Sequence, residues 1–150
     1  MSQQAAAPQF LLPDQLWECH RARLTRRYVK PSVVVLSAGG ELDASNADHV
    51  VRYAMTQTAN CRTLIVDLGA VTFCGTAGFS ALHKINVGCA RIGVHWMVVP
   101  GRAVRRLLRI ADPQAVLPLA NTVDAALAIA DRNPAEPTLA QSRLLSTSET

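Results

Sequence analysis

TLIVDLGAVTFCGTAGF, from Thr63 to Phe79, holds the change of character that decides the fold. Thr63 to Leu68 is too apolar and too short to stand as a free helix, so it reads as a buried central strand. A turn at Gly69 leads to Val71 to Phe73, and Cys74 to Gly78 then changes the direction of the chain. Beyond it Phe79, Leu82, Ile85, Cys89 and Ile92 step by three and four, which puts them on one face of a helix. Gly93 suits the position just past that helix's end.

Working outward, His95 to Val99 is the next strand, ended by Pro100-Gly101. Ala103, Val104, Leu107, Leu108 and Ala111 then form the inner face of a third helix, with Arg102, Arg105, Arg106 and Arg109 largely on the other side. Val116 to Leu119 reads as a short edge strand, which Pro118 keeps out of a sheet centre. Thr122 caps a last helix through Val123, Ala126, Leu127 and Ala130. On the other side, Leu24 to Val29 and the β-branched Ser32 to Ala38 read as strands. Ser45, with Asp48 three residues on, suits the start of a helix through Val50, Val51, Ala54, Met55 and Thr58. The order β-β-α-β-α-β-α-β-α predicts an α/β domain: a mixed, mostly parallel sheet of about five strands carrying about four helices. The domain is expected over residues 21–131, between a flexible extension at 1–20 and a flexible tail at 132–150.

Composition narrows the function. The 150 residues are 49% hydrophobic and 17% charged, which is globular rather than disordered. No apolar run approaches the ~18 residues of a membrane span, and the first residues make a poor signal peptide, so a cytoplasmic protein is expected. A net charge of +4 is well short of a dedicated nucleic-acid binder, and the four arginines of the third helix read first as a solvated face and second as a docking face. Cys19, Cys61, Cys74 and Cys89 have no paired spacing and His20, His49, His83 and His95 are scattered, so no metal site and no cofactor is expected. The bland reading of the thiols is ordinary free cysteine; position alone motivates a redox role for Cys74, with Cys61 or Cys89. GTAG is neither a phosphate-binding loop nor a nucleophile elbow, and no nucleophile–base pair is evident, so an enzyme is not expected. Thr76, at the start of a helix, reads as a cap by spacing alone; the same place would also accommodate a phosphate.

Several motifs in order carry a family resemblance. Gly40-Glu41-Leu42-Asp43 after an apolar strand resembles the first signature of STAS domains, specifically the bacterial anti-sigma-factor antagonists. Leu64 to Leu68, Val71 to Phe73 and then Gly75 to Phe79 resemble the second, in which a strand leads to Asp-Ser-Ser/Thr-Gly-Leu at the head of a helix. The likeness runs from about Leu24 to Asp131. It implies a STAS-type fold and a protein that binds an anti-sigma factor of kinase-like ATPase fold, freeing a sigma factor. It further implies phosphorylation of Thr76, with Asp43, Gly75, Thr76, Ala77, Gly78 and Phe79 on the partner-binding surface, and neither membrane nor direct nucleic-acid binding. Two departures stand out: Gly75 replaces the family's Asp, and Ala77 replaces its second hydroxyl residue. A non-phosphorylated STAS protein that binds a nucleotide, a lipid or a scaffold partner is the alternative.

Overall fold

The computed structural model of the chain describes residues 15–132. Five strands form one sheet in the order β1-β2-β3-β4-β5: β1 (Gln15–Cys19), β2 (Ala22–Lys30), β3 (Val33–Leu42), β4 (Thr63–Cys74) and β5 (His95–Pro100). The two N-terminal pairings are antiparallel because tight turns join them, and the two that follow are parallel because a helix connects each pair. The sheet is mixed, as expected, with its pairings evenly divided. Four helices complete the order: α1 (Ala47–Gln57), α2 (Thr76–Ile92), α3 (Arg102–Ala111) and α4 (Val123–Arg132).

Alternation along the strands separates two cores. Leu24, Val34, Leu36, Leu64, Val66 and Val98 point to the face covered by α1, α2 and α3. Val33, Val35, Ile65, Met97 and Val99 point to the face covered by α4. Burial on both faces explains why Thr63 to Leu68 reads as continuous apolar sequence rather than alternation.

Four local readings change. Gln15–Cys19, assigned from sequence to the flexible extension, forms edge strand β1, and Trp17 stacks on Tyr53 of α1 with ring centroids 5.4 Å apart. His20 of the expected extension lies in the turn that follows, while residues 1–14 and all but Arg132 of the expected tail lie outside the described residues. β4 runs unbroken through Gly69 to Cys74. Val116 to Leu119 makes only an isolated bridge, Leu119 to Val98, with the Val98 N–H donating to the Pro118 carbonyl at 2.8 Å. Proline has no N–H to extend that ladder. Finally, α1 begins at Ala47 behind Asn46 rather than behind Ser45, because both the N–H and the hydroxyl of Ser45 turn to Asp43. Thr122 does cap α4, accepting from the Ala125 N–H at 3.0 Å, and Gly93 ends α2 at φ 77°.

Candidate functional site

Parallel pairing of β3 with β4 sets the site. Leu42 is the register partner of Cys74, so Asp43 and the Gly75-Thr76 junction leave the sheet at the same end. The Gly75 N–H donates to the Leu42 carbonyl at 3.1 Å and ties the two segments together.

Asn46 builds the Asp43 side. It is fully buried, and its amide nitrogen donates to the carbonyls of His20 at 2.7 Å and Glu41 at 2.8 Å. Its side-chain oxygen accepts the Asp43 N–H at 3.1 Å. One side chain thus joins the β1–β2 turn, the end of β3 and the start of α1. In that turn His20 and Arg21 have φ of 40° and 72°, a conformation that non-glycine residues hold only when their surroundings impose it. Gly40, at φ 91°, lets the turn approach, since a Cβ there would lie 2.1 Å from the Arg21 carbonyl oxygen.

The turn delivers Arg21 to Asp43, with Nη2 2.5 Å from Oδ2, and its Nε lies 3.3 Å from Glu41 Oε1. Asp43 Oδ1 accepts from the Ser45 N–H at 2.9 Å and the Ser45 hydroxyl at 2.5 Å. These bonds favour the charged form: the Ser45 hydroxyl first, then Arg21, hold the Asp43 carboxyl below its ordinary range. The same pair raises Arg21. Asp43 is therefore a fixed, ionised acceptor at the rim of this end.

On the neighbouring side Gly75, in extended conformation, is the residue before α2, and Thr76 is the first helical residue. Thr76 does not cap the helix. Its exposed hydroxyl makes no hydrogen bond among the described residues, so it stands free at the positive end of α2. Gly78 is buried, and a Cβ there would sit 2.4 Å from Cys74 Sγ, so α2 can meet the end of β4 this closely only through glycine. Ala77 is half-buried, as is Phe79, whose ring stacks on His83 at 6.4 Å. Phe73 is 52% exposed beside Gly75.

The structure thus brings Asp43 and Gly75 to Phe79 to one end, and adds Arg21, Asn46 and Phe73. The motif GELD pointed to Asp43, yet nothing in the pattern announced Asn46 as its support. Cys61, Cys74 and Cys89 are buried, and burial pushes their thiols up to about 12, about 11 and about 12. They stay protonated at neutral pH, which is the unreactive form. Among the described residues no group of three or more His, Cys, Asp or Glu is placed to hold a metal ion, and no helix is long and apolar enough to cross a membrane.

This end of the sheet therefore carries two loops that follow parallel strands and a free hydroxyl at the head of the second helix. The sequence profile of the STAS domain matches residues 26–126, more than half of the chain, and the protein belongs to the STAS domain family. It resembles the structure of an anti-sigma factor antagonist from Mycobacterium paratuberculosis, with 27% identity and a TM-score of 0.63 over 72% of this chain and 92% of that one. Osmosensory protein A of Mycobacterium tuberculosis is 26% identical over 106 residues, 68% of this chain and 67% of that protein. The anti-sigma factor antagonist SpoIIAA in its unphosphorylated form shares the fold, with a TM-score of 0.58 at 15% identity over 75% of this chain and 99% of that one.

Proposed function

We propose that this protein is an anti-sigma-factor antagonist that binds an anti-sigma factor of kinase-like ATPase fold and is switched by phosphorylation of Thr76. The observation that carries the reading is the free, exposed Thr76 hydroxyl at the head of α2, on the same sheet end as ionised Asp43 and exposed Phe73. Likeness to an anti-sigma factor antagonist supports the choice of partner. Phosphate on Thr76 adds about 1.5 to 2 negative charges. The uncapped N-terminus of α2 tolerates that charge, whereas a partner fitted against Phe73 and Thr76 is displaced by its bulk and hydration. Gly75 in place of the family's Asp leaves one fewer carboxylate beside the acceptor, which eases the approach of an anionic nucleotide. No catalysis is assigned to the chain itself, and its place of action is the cytoplasm, with the sigma factor.

The test is native affinity purification from source cells, with mass spectrometry of the co-purifying proteins and of the Thr76 peptide. Recovery of a kinase-fold anti-sigma factor with unmodified bait, and phosphate on Thr76 in the unbound pool, is the expected result. Recovery of that partner with Thr76 unmodified in every condition removes the switch and leaves a constitutive antagonist. Absence of any such partner favours the ligand-binding or scaffold alternative.

A further inference from the structure

Helix α3 carries Arg102, Arg105, Arg106 and Arg109 at i, i+3, i+4 and i+7, so four guanidinium groups share one face. Among the described residues none of the four α3 arginines has a carboxylate partner, as is also true of Arg23, Arg27, Arg52, Arg62 and Arg91; what sets the four apart is that they share one face of one short helix. Their placement opposes folding twice. Like charges at three- and four-residue spacing repel, and Arg102 and Arg105 sit in the first turn, at the positive end of the helix, which holds no acidic residue there. A merely solvated face has no need of such an arrangement.

The arginines border a shaped surface. An open concavity of about 590 Å³ is lined by all four together with Asn121, whose side-chain oxygen accepts from Arg105 Nη2 at 3.2 Å. It shares Arg105 and Arg109 with a second concavity of about 410 Å³, floored by Leu108, Pro113 and Leu119. The carboxylate that borders the second, Asp112, is turned onto the N–H groups of Val116 and Leu117 at 2.9 and 3.0 Å.

We propose that this face of α3 docks a carboxylate-rich, amphipathic segment of a protein partner. Its Asp or Glu side chains pair with the guanidinium groups, and its apolar side chains settle on Leu108, Pro113 and Leu119. Arginine suits the role because its planar fork meets a carboxylate through two parallel hydrogen bonds. Apolar floor beside cationic wall complements such a segment better than a nucleic acid, for which neither concavity offers an aromatic stacking surface. The surface uses none of the residues at the Asp43–Thr76 end and stands independently of the switch.

The test measures fluorescence anisotropy of the full chain with labelled peptides carrying Glu and Leu at every helical register. Comparison probes are their Glu→Gln counterparts, an oligothymidylate, and phosphatidylglycerol–phosphatidylcholine vesicles. At least one Glu–Leu register is expected to bind more tightly than its Gln counterpart and than the other probes. A double variant, Arg102→Gln with Arg106→Gln, weakens that binding about tenfold or more while Thr76→Ala and Arg27→Gln leave it unchanged. The same double variant melts higher than the parent, because like-charge repulsion is relieved; this separates lost docking from lost folding. The proposal is overturned if no register binds, if Gln peptides bind equally, if oligothymidylate or vesicles bind more tightly, or if the double variant keeps the parent's affinity.

Discussion

Replacing Asn46 by Ala removes the buried link between the β1–β2 turn, β3 and α1. Three hydrogen bonds are lost: to the His20 carbonyl at 2.7 Å, to the Glu41 carbonyl at 2.8 Å and from the Asp43 N–H at 3.1 Å. At roughly 1 kcal/mol net for each bond, the loss is about 3 kcal/mol. For a domain of this size, with unfolding entropy near 2.1 cal/mol/K per residue, that lowers Tm by about 12 °C. Urea denaturation followed by tryptophan fluorescence measures the free energy, and a thermal melt gives Tm. Asn46→Asp supplies the internal control. Its carboxylate would face two carbonyl oxygens in a buried site, which raises its folded-state pKa above the unfolded value. The folded state then binds the proton more tightly, so the loss is greatest at neutral pH and shrinks as pH falls toward the carboxylate range. A loss below about 1 kcal/mol for Asn46→Ala, or an Asp variant insensitive to pH, would refute the assignment of this side chain as the link.

Gly78→Ala is expected to cost about 1 to 3 kcal/mol by forcing a methyl group against Cys74 Sγ. Adding Cys74→Ala should return part of that loss, and strictly additive melts would contradict the packing account. Gly75→Asp should leave stability unchanged or raise it by a few tenths of a kcal/mol, since a Cβ there meets only the Phe73 ring at 3.4 Å and Asp is a better cap than Gly; a clear fall in Tm would count against the extended Gly75 geometry. Asp43, whose carboxyl is held down first by Ser45 and then by Arg21, contributes stability that is complete above the ordinary carboxylate range and lost as pH falls through its lowered folded-state pKa. An NMR titration should therefore give Asp43 a midpoint below that of an ordinary Asp, moving up in Ser45→Ala and in Arg21→Gln. A midpoint unmoved in both variants would contradict that cause. Buried Cys61, Cys74 and Cys89 should resist iodoacetamide in the folded protein near neutral pH and react once it is unfolded; rapid native labelling of Cys74 would instead favour the redox role its position suggests.

Legibility followed the locality of each signal. The β4–α2 junction was readable because an apolar strand and a three-four helical step lie next to each other in sequence. The nearness of Asp43 to Thr76 came from resemblance, since pairing of β3 with β4 is a long-range contact that no local pattern encodes. β1 escaped because its own residues give little pattern, and its order comes from partners: the β2 ladder and the stack of Trp17 on Tyr53. The His20-Arg21 turn lacks the Gly or Asn that marks a left-handed backbone, so its conformation, imposed by Asn46 and Gly40, was hidden. Thr76 was misread as a cap because spacing cannot separate the first helical residue from the one before it.

Binding of the purified anti-sigma factor by unmodified chain, by chain phosphorylated at Thr76 and by Thr76→Ala tests the central claim most directly. The account predicts tight binding by the unmodified protein and the Ala variant, and a loss of about a hundredfold on phosphorylation, the size of a buried interface residue turned against its partner. Equal affinity of the unmodified and phosphorylated forms would contradict it.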